Sequence, residues 1–257
     1  NNKTYRQNII SWNIENNSSR PLVPVPLHAY FNDKVNNIFK NQYLSPRPAV
    51  PTLQLPTQGI GDWTHPKLTA DINDSGFRKN ASGNRFTIPQ RISFETPADS
   101  NQSNIIFTSQ WDNYPTQVVL PLNGHAAHAY LLMAGSTNPM QSQFDNGKIT
   151  VTYTDGTTDS LLLSNPENWW PIEQDFFNDG YAFNTKAARP VRIHLKTGKT
   201  FSVFNDAENI NIGKMIEGGA ATVLDIPLNK NKTLQSLTLS ALANDVVIGL
   251  MAVTLAR

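Results

Sequence analysis

Short apolar runs set off by turn-forming residues recur along most of the chain. Lys148-Ile149-Thr150-Val151-Thr152-Tyr153-Thr154 alternates strictly, Asp155-Gly156 forms a tight turn, and Thr158 to Leu163 returns. Alternation with period two around such a dipeptide predicts a half-buried β-hairpin. Val191 to Leu195 turns at Thr197-Gly198 into Thr200 to Phe204 in the same manner. Ile105 to Phe107, Gln117 to Leu120, Ala129 to Ala134, Ala221 to Ile226, Leu234 to Leu239 and Val246 to Thr254 are further strand-length segments. Nearer the start, Ile10, Trp12 and Ile14 alternate with polar residues and predict a first strand. Leu22 to Leu27 is apolar but contains Pro24 and Pro26, which have no N–H to donate, so an edge strand or an extended crossing is expected there. His28 to Leu44 has partly helical spacing at Phe31, Val35 and Ile38. The turn pair Asn32-Asp33 favours reading it as a hairpin. Ser45 to Pro89 is rich in proline and glycine with little periodicity, an irregular excursion expected to cap the core or serve function.

Roughly ten or more strands, spaced about 8–15 residues apart, point to an all-β antiparallel sandwich rather than alternating strands and helices. No repeat or low-complexity linker divides the chain, so residues 1–257 are expected to form one elaborated domain, with 45–89 packed on it.

Composition narrows the functional classes. The 257 residues carry 21 Lys+Arg against 20 Asp+Glu, a formal net charge of +1. Nothing in that balance draws the chain toward nucleic acid or an anionic membrane. No run approaches the length needed to span a bilayer. The absence of cysteine excludes disulfides, thiolate nucleophiles and cysteine-ligated zinc. There are 29 asparagines, 17 prolines and 14 glycines, a surplus that turns in a loop-rich β protein would consume. The chain opens on Asn1-Asn2-Lys3 without a charged and apolar leader, as expected of a mature form or an excised piece.

Candidate chemistry is sparse. Gln58-Gly59-Ile60-Gly61-Asp62-Trp63 lacks the third glycine and preceding strand of a dinucleotide loop. His125 and His128 are three apart, which on a strand puts them on opposite faces, and no acidic neighbour completes a zinc motif. Asp71, Asp74, Asp155 and Asp159 do not form a calcium loop. No metal or cofactor is expected. Arg47, Arg78 and Arg91 read as loop anchors. Carboxylates do occur beside aromatics: Asp112 between Trp111 and Asn113, and Glu173, Asp175 and Asp179 between Trp169 and Tyr181. A glycosidase would need two of them about 5–9.5 Å apart across a cleft. The aromatic placements have two readings: a binding surface, or the commoner role of tryptophan in a large sandwich, a core plug beneath a long loop. Sugar rings stack apolar faces on indoles while their hydroxyls bond amides and carboxylates. The candidate ligand-binding set is Trp63, Trp111, Asp112, Asn113, Trp169, Trp170, Asp175 and Tyr181, with no catalytic residue assigned.

The runs "YLLMAGS" (130–136), "YTDGT" (153–157) and "NPENWWP" (165–171) resemble the galactose-binding-like β-sandwich modules attached to bacterial polysaccharide-degrading enzymes. More narrowly, "SPRPAVPTLQLPTQGIGDW", "TSQWDNYP", "MAGSTNPMQS" and "GGAATVLDIPL…LANDVVIGLMAVTL" are similar to an uncharacterised domain family of such bacteria. That family is often found C-terminal to glycosidase-like regions. The likeness runs from about Tyr43 to Leu255 and departs at Thr64, where cysteine is expected before His65-Pro66. It implies a jelly-roll sandwich, export to the periplasm or cell surface, and a glycan or a glycosidase-like domain as partner. It brings no catalytic residues. The leading reading is a non-catalytic carbohydrate-associated β-sandwich module that binds glycan or braces a glycosidase-like partner; a glycan-active hydrolase using loop carboxylates and a cell-surface assembly module without small ligand are the other two readings.

Overall fold

The computed structural model describes residues 3–6, 20–41, 60–62, 65–66, 71–110, 114–137, 143–175, 190–201, 216–244 and 246–257. The chain is an all-β sandwich with a third layer laid over one of its sheets. The first sheet runs β1 (Lys3–Arg6), β11 (Thr158–Ser164), β10 (Asp145–Tyr153), β15 (Leu234–Ala241) and β8 (Gln117–Pro121). The second runs β13 (Thr200–Phe201), β12 (Arg192–His194), β14 (Ala220–Pro227), β9 (His128–Ser136), β16 (Val247–Ala256) and β2 (Leu22–Val25), with β7 (Ile106–Thr108) also pairing β16. Every pair is antiparallel except β1 with β11.

The two sheets differ in how their sequences read, and burial explains why. In the first sheet Ile149, Val151 and Tyr153 face inward while Lys148, Thr150 and Thr152 are half-buried on the other face. The predicted alternation is therefore the signature of a sheet with one wet face. In the second sheet both faces are covered. Along β9, Ala129, Leu131 and Met133 join the core between the sheets, while Tyr130, Leu132 and Ala134 join a second core on the opposite side. Strand β16 is buried at every position, so its sequence is one continuous apolar run. A register shift between Leu250 and Ala252 places Met251 and Ala252 together in the outer core. This is how a bulge re-aims side chains without ending the strand.

The outer core is roofed by the segments that read as irregular. Helix α1 (Ser75–Lys79) contributes Phe77, and the hairpin of β5 (Arg85–Thr87) and β6 (Ser93–Glu95) contributes Phe86 and Phe94. The described part of the excursion from residue 71 onward thus packs on the second sheet, and it contains short regular elements that its proline and glycine content obscured. Two further short strands, β3 (Ile60–Asp62) and β4 (His65–Pro66), pair with each other.

The hairpin expected over residues 28–44 does not form in its described part. After a turn in which Tyr30 N–H donates to the Leu27 carbonyl, a 3₁₀ helix spans Val35–Asn37. Asp33 organises it: Oδ1 accepts from the Lys34 N–H and the Asn37 amide, and Oδ2 from the Asn41 amide and the Tyr114 hydroxyl. Local bonding of the Asp33 side chain competes with strand pairing, and the helical spacing of Val35 and Ile38 was the stronger local signal, since both are fully buried. The strand expected at Ile10 to Ile14 and the proline-rich stretch 45–59 lie outside the described residues.

Candidate functional site

The residues singled out in the sequence divide three ways. Trp63, Trp111, Asp112, Asn113 and Tyr181 lie outside the described residues, as does Asp179. Trp169 and Trp170 are buried, at 1% and 3% exposure. Trp169 is part of the core between the sheets, lying against Gly135, where an added Cβ would come within 2.9 Å of its ring. Trp170 donates its indole N–H to the Pro166 carbonyl at 2.8 Å. Neither offers a ring face to solvent, so both belong to packing rather than to a sugar platform in this structure. Asp175 is half-buried and acts electrostatically on Arg192.

Arg192 shows why this segment lies inside. Its guanidinium is buried and donates to the carbonyls of Gln174, Pro171 (3.0 Å) and Ala220 (3.0 Å), stitching residues 171–174 to β14. Burial lowers its pKa to about 10, against the opposing pull of Asp175 and Glu173. Glu173, one of the three carboxylates that the hydrolase reading could set opposite Asp112, is itself 1% exposed. Its charge favours the ionised guanidinium.

The histidines have separate partners. His128 holds the Asp225 carboxylate through Nδ1 at 2.9 and 3.0 Å and stacks on Tyr130. Burial pushes the Asp225 carboxyl up, and the His128 hydrogen bond acts in the other direction. His194 lies against Thr197, and His28 and His125 are exposed. Among the described residues no group of three or more metal-ligating side chains converges. The acids considered for calcium serve turns and ion pairs: Asp71 with Lys40, Asp74 with Arg78, and Asp155 with Lys232 and Thr157. Asp159 accepts from the Tyr153 hydroxyl. Arg91 sits at a positive φ of 66° in an exposed turn.

The sandwich opens where its two sheets end on the same side. Strand β8 is an edge of the first sheet and β2 of the second. Between them residues 23–27 and 120–123, with Tyr30 and Arg257, line a groove of about 410 Å³, within the range of small-ligand sites. Its walls are mostly aliphatic and proline, and Tyr30 stands at 37% exposure on the turn that closes one end. Asn123 and Arg257 supply the polar groups. Pro24, Pro26 and Pro121 interrupt both rims. Residues without an N–H make poor edges for pairing with another strand, so the groove favours recognition by side chains. A smaller hollow of about 210 Å³ lies beyond Leu27, lined by His28, Phe31, Asn84, Glu95 and Thr96 among others. The Thr96 hydroxyl there is buried without a hydrogen-bond partner among the described residues.

Tyr30, Asn123 and Arg257 were not singled out in the sequence. They come together from three distant segments, and the proline-broken edge at Leu22 to Leu27 was the one local hint. No family model matches the chain, and no curated protein is significantly similar to it.

Proposed function

We propose that this chain is a non-catalytic, carbohydrate-binding β-sandwich module of an exported bacterial polysaccharide-utilisation system, seated beside a glycosidase-like domain or protein. The groove between β2 and β8 supports this reading most. It combines an exposed tyrosine ring, an aliphatic and proline floor, an amide and a guanidinium. Pyranose rings offer apolar C–H faces to such a floor and hydroxyls to such a rim. The resemblance of residues 130–136, 153–157 and 165–171 to galactose-binding-like modules points the same way.

Affinity electrophoresis through gels carrying soluble polysaccharides tests the reading. The folded protein is expected to be retarded by at least one polysaccharide. Tyr30→Ala should weaken that retardation about tenfold, the loss of one stacked ring and its buried area. No retardation by any polysaccharide, or retardation untouched by Tyr30→Ala, would remove the groove as a glycan site.

A further inference from the structure

Among the described residues Arg257 is the only charged one lining the groove, and no carboxylate among them pairs with it. Its guanidinium is nevertheless held in place. Nη1 donates to the carbonyls of Asn123 at 2.9 Å and His125 at 3.5 Å, and Nη2 to the Asn123 side-chain oxygen at 3.4 Å. Its backbone N–H donates to the Pro21 carbonyl at 3.0 Å, fixing the end of β16 beside the start of β2. Gly124 makes the seat possible. It has a φ of +67°, and a Cβ there would stand 2.6 Å from Nη1. A guanidinium has five N–H donors, and these contacts use three. The Nε–H and one Nη2–H take no acceptor among the described residues, and such a fork matches the two oxygens of a carboxylate.

We infer that the groove selects an acidic saccharide, a uronic-acid-containing glycan whose carboxylate is bound by Arg257 while a ring face lies against Tyr30. This rests on the glycan-binding reading above and narrows its ligand class. An acidic peptide would offer the same charge, but the proline-interrupted rims deny it backbone pairing. The apolar walls suit a sugar face.

Isothermal titration with a trigalacturonate and with the same trisaccharide reduced at its carboxyl groups separates the two claims. An oligoglutamate of equal charge is the control. The protein is expected to bind the uronate about tenfold more tightly than the reduced sugar, as a charge-assisted bidentate contact would provide. That preference should shrink as salt is raised. Arg257→Gln should bring the ratio to about unity. Gly124→Ala, which crowds the seat, should reduce the ratio in a protein whose circular dichroism matches the parent. Equal binding of both sugars by the parent overturns the acidic preference and leaves the glycan reading standing. Binding of neither sugar overturns both. Oligoglutamate binding as tight as the uronate overturns the saccharide assignment.

Discussion

Arg78→Met is expected to lower the unfolding free energy by about 3–5 kcal/mol, the cost of removing one partner from a buried ion pair. The Arg78 and Asp74 side chains are 3% and 4% exposed, and Nε lies 2.7 Å from Oδ2. The rest of the guanidinium donates to the carbonyls of Pro97 (3.0 Å), Asp99 (2.6 Å) and Gln102 (2.9 Å). Asp74 also accepts from the Asn104 amide, whose oxygen takes the Val35 N–H. One arginine thus ties helix α1 to the loop after β6 and, through Asn104, to the 3₁₀ helix. Among the described residues methionine leaves the Asp74 carboxylate with only the Asn104 donor, and the Pro97, Asp99 and Gln102 carbonyls lose the guanidinium, Asp99 keeping the Gln102 N–H. Urea unfolding measures the loss. Hydrogen exchange is expected to accelerate first across residues 71–104, because the layer they form is a roof over the second sheet. The double variant Asp74→Asn, Arg78→Met should recover part of the loss by removing the stranded charge. A destabilisation below about 1 kcal/mol would mean that the network is not what holds the roof.

Trp169→Ala is expected to cost about 3–5 kcal/mol, the range for an aromatic removed from a packed core. Its ring lies in the sandwich interior against Gly135, and that glycine exists at close range because no side chain fits between them. The same substitution should leave glycan retardation of the folded fraction at the parent level. This separates the two roles an indole beside Asn and Pro can take: a stacking platform loses binding and keeps stability, and a core plug does the reverse. Thermal unfolding alongside affinity electrophoresis reads both. Unchanged stability with lost retardation would return Trp169 to the ligand surface.

Why the sequence around these two tryptophans reads as exposed loop is physical. Trp169 and Trp170 sit among Asn165, Pro166, Asn168 and Pro171, a composition that reads as exposed loop. The amides there serve the backbone inside the protein. Asn168 Oδ1 takes the Ser164 N–H, its Nδ2 donates to Leu162, and the Asn165 amide donates to the Trp169 carbonyl. Buried loop backbone must find partners somewhere, and here short polar side chains provide them. Polarity in sequence therefore did not mean contact with water. Arg78 and Arg192 illustrate the same point with full charges, each solvated by main-chain carbonyls in place of water. Arg78 is an anchor because an arginine near turn residues has acceptors within reach.

Local pattern alone determined the class of the fold and the position of most described strands from residue 105 onward. Period-two alternation marked β10 because one face of its sheet is wet, and the Asp155-Gly156 turn marked β11 as its return. Continuous apolar runs marked β9 and β16 because no face of theirs is. Such patterns are written residue by residue and survive without knowledge of neighbours. Tertiary structure decided what covers the second sheet, which residues roof it, and where the sandwich stays open. Those outcomes depend on pairings between segments far apart in the chain, such as β16 with β2 and Arg257 with Asn123. The groove belongs to this second kind: its walls come from two edge strands about a hundred residues apart in sequence, and the Arg257 cation from the end of a third. No window of sequence contains it, because a concave site is a property of how edges meet.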